Sequence, residues 1–176
     1  DALVEAIRSA DEQEIDILTL SHQAISAENR GRLDEAVNEA IGKGIVTTFI
    51  HYDNPGNILP WGIWDSSGDG YYNRDADINI FQYDYNTLFT NDYLSIAEEP
   101  DYNEIYKGQL YTSVSSMSVV TAGFVAILME IDDSLTPAQY KEILIRTSYP
   151  AEYEGERAEH VADIDAAVKY LAGNII

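Results

Sequence analysis

Apolar residues change their period several times along the chain, and each change marks an element. Residues 2–10 place Leu3, Val4 and Ile7 on one helical face. Residues 15–21, IDILTLS, form an apolar run of strand length. Between 28 and 43, Leu33, Ala36, Val37, Ala40 and Ile41 return at helical spacing, and Gly42 and Gly44 close that helix. GIVTTFI at 44–50 reads as a second buried strand with two β-branched threonines. Helix, strand, helix, strand at this spacing predicts a three-layer α/β fold with a mostly parallel sheet and short right-handed crossovers.

The pattern then loosens. Residues 53–110 are rich in Asn, Asp, Tyr and Gly, with short strands predicted at 60–65, 77–81 and 109–112 and an irregular loop over 84–108. Order returns at 111–131, YTSVSSMSVVTAGFVAILMEI, which opens on hydroxyl residues and is apolar on every side from Val119 to Met129. A helix apolar all round is a buried helix, and this one is too short and too hydroxyl-rich to cross a bilayer. It is expected at the centre of the core, with serines at its positively polarised N-terminus, where a nucleophile or an anion is favoured. Thr136, Pro137 and Gln139 make a strong helix start, N-cap to capping box, for a helix reaching about Thr147. A final helix is predicted over 163–171. No internal repeat or low-complexity tract is present.

Composition narrows the function classes. At 176 residues and 45% hydrophobic, the chain fits one domain with a sizeable core. Its formal charge of −21 argues against nucleic acid and anionic membranes as partners. The acids are scattered rather than blocked, as on a solvated acidic surface. With no cysteine there are no disulfides and no thiolate metal sites. The chain starts at Asp1 rather than Met, as a processed product or a fragment does.

The segment SVSSMSVVTAG, residues 113–123, resembles the catalytic-serine motif of subtilisin-like serine proteases, G-T-S-M-A-x-P-x-V-A-G. Without a gap Ser115 falls on the nucleophile; a one-residue slip puts Ser116 there instead. Further segments resemble the family in order. IDILTLS is similar to the cleft-lining strand that ends in N-M-S, with Ser21 on its serine and His22 following. LDEAVNEAIGKGIVTTFIHYDN resembles the helix and strand leading to A-A-G-N. WGIWDSS resembles V-G-A-x-D-S, LTPAQYKEILIRTS the helix after the serine helix, and HVADIDAAVKYL the closing segment. The resemblance covers the C-terminal half of such a domain, so the N-terminal half is expected to be absent from this chain. It also implies an extracellular location.

A serine protease needs a base, a carboxylate to orient it, and donors for the oxyanion. The family's aspartate and histidine precede the region seen here. His22, His51 and His160 match none of these positions, and each reads more simply as an ordinary surface or partly buried histidine. At the oxyanion position the ungapped match puts Asp53 on the family's asparagine; Asn54 fits only after a one-residue shift. A carboxylate there repels the developing charge, whereas a donor lost in other enzymes costs about 3–4 kcal/mol. Ser113 in place of the family's Gly and Val119 in place of its Pro alter the serine turn as well.

Two further candidates stand outside the resemblance. Asp65, Ser67, Asp69, the Tyr71 carbonyl and Asn73 occupy calcium-loop positions 1, 3, 5, 7 and 9, but Ala76 holds the twelfth. The same residues suit a hairpin turn between two short strands. Eight of the 13 tyrosines lie between 71 and 111, either as a carbohydrate- or peptide-binding surface or as amphipathic cover for a loop-rich face.

Three readings follow. The first is a subtilisin-like scaffold without catalysis, kept for binding a peptide or protein or for regulation, with no cofactor or with calcium. The second is part of an active endopeptidase whose Asp and His lie on an upstream segment or second chain. The third is an unrelated acidic α/β binding module. A half-domain on its own is expected to expose a sheet edge and apolar faces.

Overall fold

A computed structural model describes residues 2–21, 27–50, 52–63, 76–81, 114–153 and 156–173. Among these residues five α-helices form: α1 (Ala2–Ser9), α2 (Ala27–Gly42), α3 (Val114–Met129), α4 (Pro137–Thr147) and α5 (Ile164–Gly173). Six strands accompany them: β1 (Ile17–Leu20), β2 (Val46–Phe49), β3 (Pro60–Ile63), β4 (Ile78–Phe81), β5 (Tyr149–Tyr153) and β6 (Glu156–Val161).

The first βαβ unit forms as its periodicity predicts. β1 and β2 pair in parallel, Ile17 opposite Val46 and Leu20 opposite Phe49, with α2 as the crossover. α2 stops because Gly44 takes φ +95°, a left-handed conformation open to glycine, which directs Ile45 N–H to the Ala40 carbonyl. β2 is buried along its whole length. Its alternate residues face two separate cores, as the period of two in a strand requires. Ile45 and Phe49 join Val4, Ile7, Leu33, Ala36, Val37 and Ala40 beneath α1 and α2. Val46 joins Ile58, Ile78, Ile80, Met117, Phe124, Val125, Leu128 and Tyr140 on the side of α3, α4 and α5. Helices therefore cover both faces of a mostly parallel sheet, the predicted three-layer α/β arrangement.

The second ladder has the order β3-β4-β6-β5. Ile58 N–H donates to the Thr47 carbonyl at 2.9 Å and links it to β2. β3 and β4 pair in parallel, Pro60 with Ile78 and Ile63 with Phe81. This corrects the hairpin expected across 65–77: parallel neighbours need a crossover connection and cannot be joined by a tight turn. β5 and β6 form an antiparallel hairpin that the sequence reading missed; their facing ends, Tyr153 and Glu156, are separated by two residues in the chain. Consequently His160 lies on β6.

α3 departs from its prediction in one respect. Its sheet-facing side, with Met117, Ser118, Thr121, Phe124, Val125 and Leu128, is buried. The opposite side is not: Val119 is 57% exposed and Ile127 46%, with Gly123 and Ala126 exposed between them. The helix packs against β1, β2, β3 and α5 and leaves this side uncovered by the described residues. α4 begins as predicted: Thr136 N–H donates to Gln139 Oε1 at 2.8 Å, and Gln139 N–H returns to Thr136 Oγ1 at 3.4 Å.

Candidate functional site at the C-terminal edge of the sheet

The direction of α3 decides where its serines lie. Thr48, one residue before the end of β2, donates its hydroxyl to the Ser118 carbonyl at 2.9 Å. Just past the other end of α3, the Asp132 carbonyl accepts from the Tyr140 hydroxyl at 2.6 Å. Burial raises the pKa of that phenol, as do the carboxylates of Asp132, Asp133 and Asp16, the last of which directly precedes β1. So α3 runs from the strands' C-terminal ends back toward their beginnings. Its N-terminus sits at the edge where open α/β sheets bind ligands.

Ser115 and Ser116 fall in the first turn of α3. Ser21 follows β1 directly at the same edge and is exposed. The segment after β2 completes the group: Ile50 N–H donates to the Leu20 carbonyl at 3.2 Å, which holds the two strand exits side by side. The fold thus brings Ser21, the 52–54 segment and the α3 serines to one edge. His22, His51 and the calcium-loop candidates Asp65, Ser67, Asp69, Tyr71 and Asn73 lie outside the described residues, as do the 84–108 loop and the 109–112 strand.

At the oxyanion position the two candidates differ in setting. Asp53 is exposed. Asn54 is half-buried, with both ends of its carboxamide engaged: Oδ1 accepts from Gly56 N–H at 2.9 Å, and Nδ2 donates to Asn38 Oδ1 on α2 at 3.1 Å. Gly56 permits this turn because a Cβ there would come within 2.8 Å of Ile41 Cδ1. Tyr52, which stands on the family's glycine, is buried. Its hydroxyl donates to Asp34 Oδ1 at 2.8 Å, and Arg30 lies 4.8 Å above its ring. Burial, then the bond to Asp34, pushes its pKa up to about 12.

One asparagine that the sequence reading passed over does more structurally than Asn54. Asn57 is buried, and its side chain acts as a piece of strand: Oδ1 accepts from Phe49 N–H, while Nδ2 donates to the Phe49 and Tyr52 carbonyls. The signal available was an asparagine four residues after the expected motif, next to an apolar run.

His160 stands apart from this edge. Val161 pairs with Asn79, so His160 is level with the beginning of β4. Its Nδ1 is 3.0 Å from Ser148 Oγ. Ser148 Oγ also donates to the Ile145 carbonyl at 2.6 Å, which occupies its only proton. The ring nitrogen is therefore the donor in this pair, and Ser148 caps α4 instead of acting as an activated nucleophile. Among the described residues no cluster of three His, Cys, Asp or Glu could hold a metal ion, and no helix is long and apolar enough to cross a membrane.

No family model and no curated protein matches the sequence. Structural comparison does place the fold. The macrocyclase domain PatG superposes with a TM-score of 0.66 at 16% identity, over 98% of this chain and 57% of that one. The patellamide maturation protease PatA gives 0.64 at 13% identity, over 97% of this chain and 68% of that one. Fervidolysin from Fervidobacterium pennivorans, a keratinolytic enzyme related to subtilisin, gives 0.64 at 16% identity, over 95% of this chain and 28% of that one. The fold is subtilisin-like, and the chain spans between 28% and 68% of the length of these three structures.

Proposed function

We propose that this chain is a peptidase-related, subtilisin-like scaffold that engages polypeptide at the C-terminal edge of its sheet without hydrolysing it. The observation that carries this reading is the state of the oxyanion position. Asn54 is held in a turn against Asn38 and Gly56, and the neighbouring Asp53 offers an exposed carboxylate where acyl transfer needs a donor. His160 supports it by its distance from this edge in the sheet and its commitment to Ser148.

The decisive test is labelling of the natively purified chain with a fluorophosphonate serine probe, mapped by peptide mass, with Ser115→Ala and Ser116→Ala as controls. We expect no labelling of a folded, monodisperse sample. Labelling at either serine, lost in the matching variant, overturns the reading. It would favour the second one, in which Asp and His are supplied by another segment of a working endopeptidase. The uncovered side of α3 is the observation on that reading's side.

A further inference from the structure

Carboxylates crowd the cations of this surface. The chain holds 31 acids against 10 lysines and arginines. Only four of those are lysines, Lys43, Lys107, Lys141 and Lys169, and each of the three described is paired with an aspartate. Where α1 meets α2, Arg8 is shared between Glu35 and Glu39. Lys43 lies 2.7 Å from Asp11; that bond raises its pKa, and so do Glu39 and Glu12 beside it. On the β5–β6 hairpin, Arg157 bonds Glu159 at 2.8 Å and stands opposite Glu152 across the strands.

Other exposed carboxylates meet no cation among the described residues. Glu14 and Asp16 precede β1, Glu130 and Asp133 follow α3, Asp53 follows β2, and Glu142 is exposed on α4. None of these six forms an ion pair with a described residue. They occupy both edges of the sheet and one of its helical layers, and no three described carboxylates converge to hold a metal ion. That spread bears on the partner, because a basic protein or peptide would cover one face and draw the acids to it. A net charge of about 2–8 is enough to keep a small domain soluble. This chain carries −21, and charge in such excess costs stability through self-repulsion.

We infer that this surface is built for molar salt, and that its partner is a diffuse shell of hydrated alkali cations. The cations lie between neighbouring carboxylates, bring their water with them, and stand in for the lysines the surface lacks. Self-repulsion that is uncompensated in dilute buffer is offset there. This differs from screening. At about 1 M the screening length is already ~3 Å, shorter than an ion-pair contact, so screening has little more to give. A cation shell keeps filling beyond that point, because an exposed charge contact is weak and saturates only at high concentration. The inference goes beyond the scaffold reading and stands whether or not the chain cleaves peptide.

The test follows urea unfolding of the full chain between about 0.5 M and about 3 M salt, where screening is nearly complete. Potassium chloride is compared with tetramethylammonium chloride at equal ionic strength, since the second cation screens equally but holds its water loosely. A companion variant carries Glu14→Gln, Asp16→Asn, Asp53→Asn, Glu130→Gln, Asp133→Asn and Glu142→Gln. Across this range the parent's urea midpoint is expected to rise about twice as far in potassium as in tetramethylammonium. In the variant that advantage of potassium is expected to shrink to about half. A parent midpoint that stays flat above about 0.5 M, or rises equally in both salts, overturns the inference. A variant that keeps the full potassium advantage overturns it too, since the effect would then belong to apolar burial and not to the carboxylates. Circular dichroism reports whether the variant folds, and the two-salt comparison on the parent decides the matter where it does not.

Discussion

The ammonium of Lys141 on α4 lies 2.8 Å from Asp77 Oδ2, with both side chains largely withdrawn from solvent. The same ammonium donates to the Asn57 and Pro55 carbonyls at 2.9 and 3.2 Å, and Asp77 Oδ2 also accepts from Leu59 N–H at 2.7 Å. One lysine therefore fastens the helix to the segment that enters β3 and to the residue that precedes β4.

Replacing Lys141 with Met keeps the aliphatic stem but leaves a half-buried carboxylate and two carbonyls without their donor. A loss of about 2–3 kcal/mol is expected, read from the midpoint of urea unfolding. Asp77→Asn retains an acceptor for Leu59 N–H, so its loss should be smaller, about 1 kcal/mol. Equal losses would show that the charge itself dominates.

Tyr52 gives the chain an alkaline limit. Its pKa is pushed up to about 12 by burial and by Asp34, against an unfolded value of about 10. The folded state holds this proton more tightly, so the associated stability is complete below about pH 10 and disappears between about pH 10 and 12. Tyr52→Phe should cost about 1–2 kcal/mol at neutral pH through the lost hydroxyl. It should also show a shallower fall in stability over the alkaline range than the parent, measured by denaturant midpoints at matched pH.

The capping box predicts a smaller effect. Thr136→Ala removes both the acceptor for Gln139 N–H and the hydroxyl bond to Gln139 Oε1. The expected loss is about 1 kcal/mol, whereas Thr136→Ser should remain near the parent value. Thermal or urea unfolding of the pair distinguishes them.

Salt should stabilise this protein. Every lysine and arginine among the described residues already sits beside a carboxylate or, for Arg146, over the ring of Tyr170. The remaining acids repel one another. Exposed pairs contribute little to stability, so their screening costs less than the relief of a −21 net charge provides. Tm should rise by several degrees between about 0.02 M and about 0.5 M NaCl, where the screening length shortens severalfold. A falling Tm would mean that local pairs outweigh the global repulsion. Calcium in the millimolar range is then compared with magnesium at equal concentration. A rise in Tm specific to calcium supports the 65–73 loop as its site, and equal responses remove it.

Much of this architecture was legible in the chain because its local signals agree with the fold. The α1–β1–α2–β2 unit carries clean periods, a terminating Gly44 and a second strand of β-branched and apolar residues, and Thr136-Pro137 with Gln139 announces α4. The β5–β6 hairpin was hidden because ERAEHV contains one β-branched residue and three charged ones, so its strand character comes from pairing rather than propensity. The parallel relation of β3 and β4 was hidden for another reason: turn-forming residues between two strands signal a reversal of the chain but not the longer route of a crossover. At the site, the sequence located the serines and the altered 52–54 segment. It did not disclose that Asn54 turns toward Asn38, or that Asn57 replaces a stretch of backbone beside Phe49. Those depend on which residues of α2 come within reach, which only the tertiary arrangement sets. The exposed side of α3 was likewise invisible, since an all-apolar run reads the same whether one face or two are covered.

The double duty of β2 also orders the assembly of the molecule in time. One of its two cores is drawn from residues between Val4 and Tyr52, while the other gathers buried side chains from Val46 through Leu171. Short loops close sooner than long ones, so the first core should condense early and present Val46 and Thr48 as a finished template. The serine helix would dock on it late, through Thr48 and Ser118. In hydrogen exchange, the amides of β2 should then be among the last to open, and those of α5 should open before them.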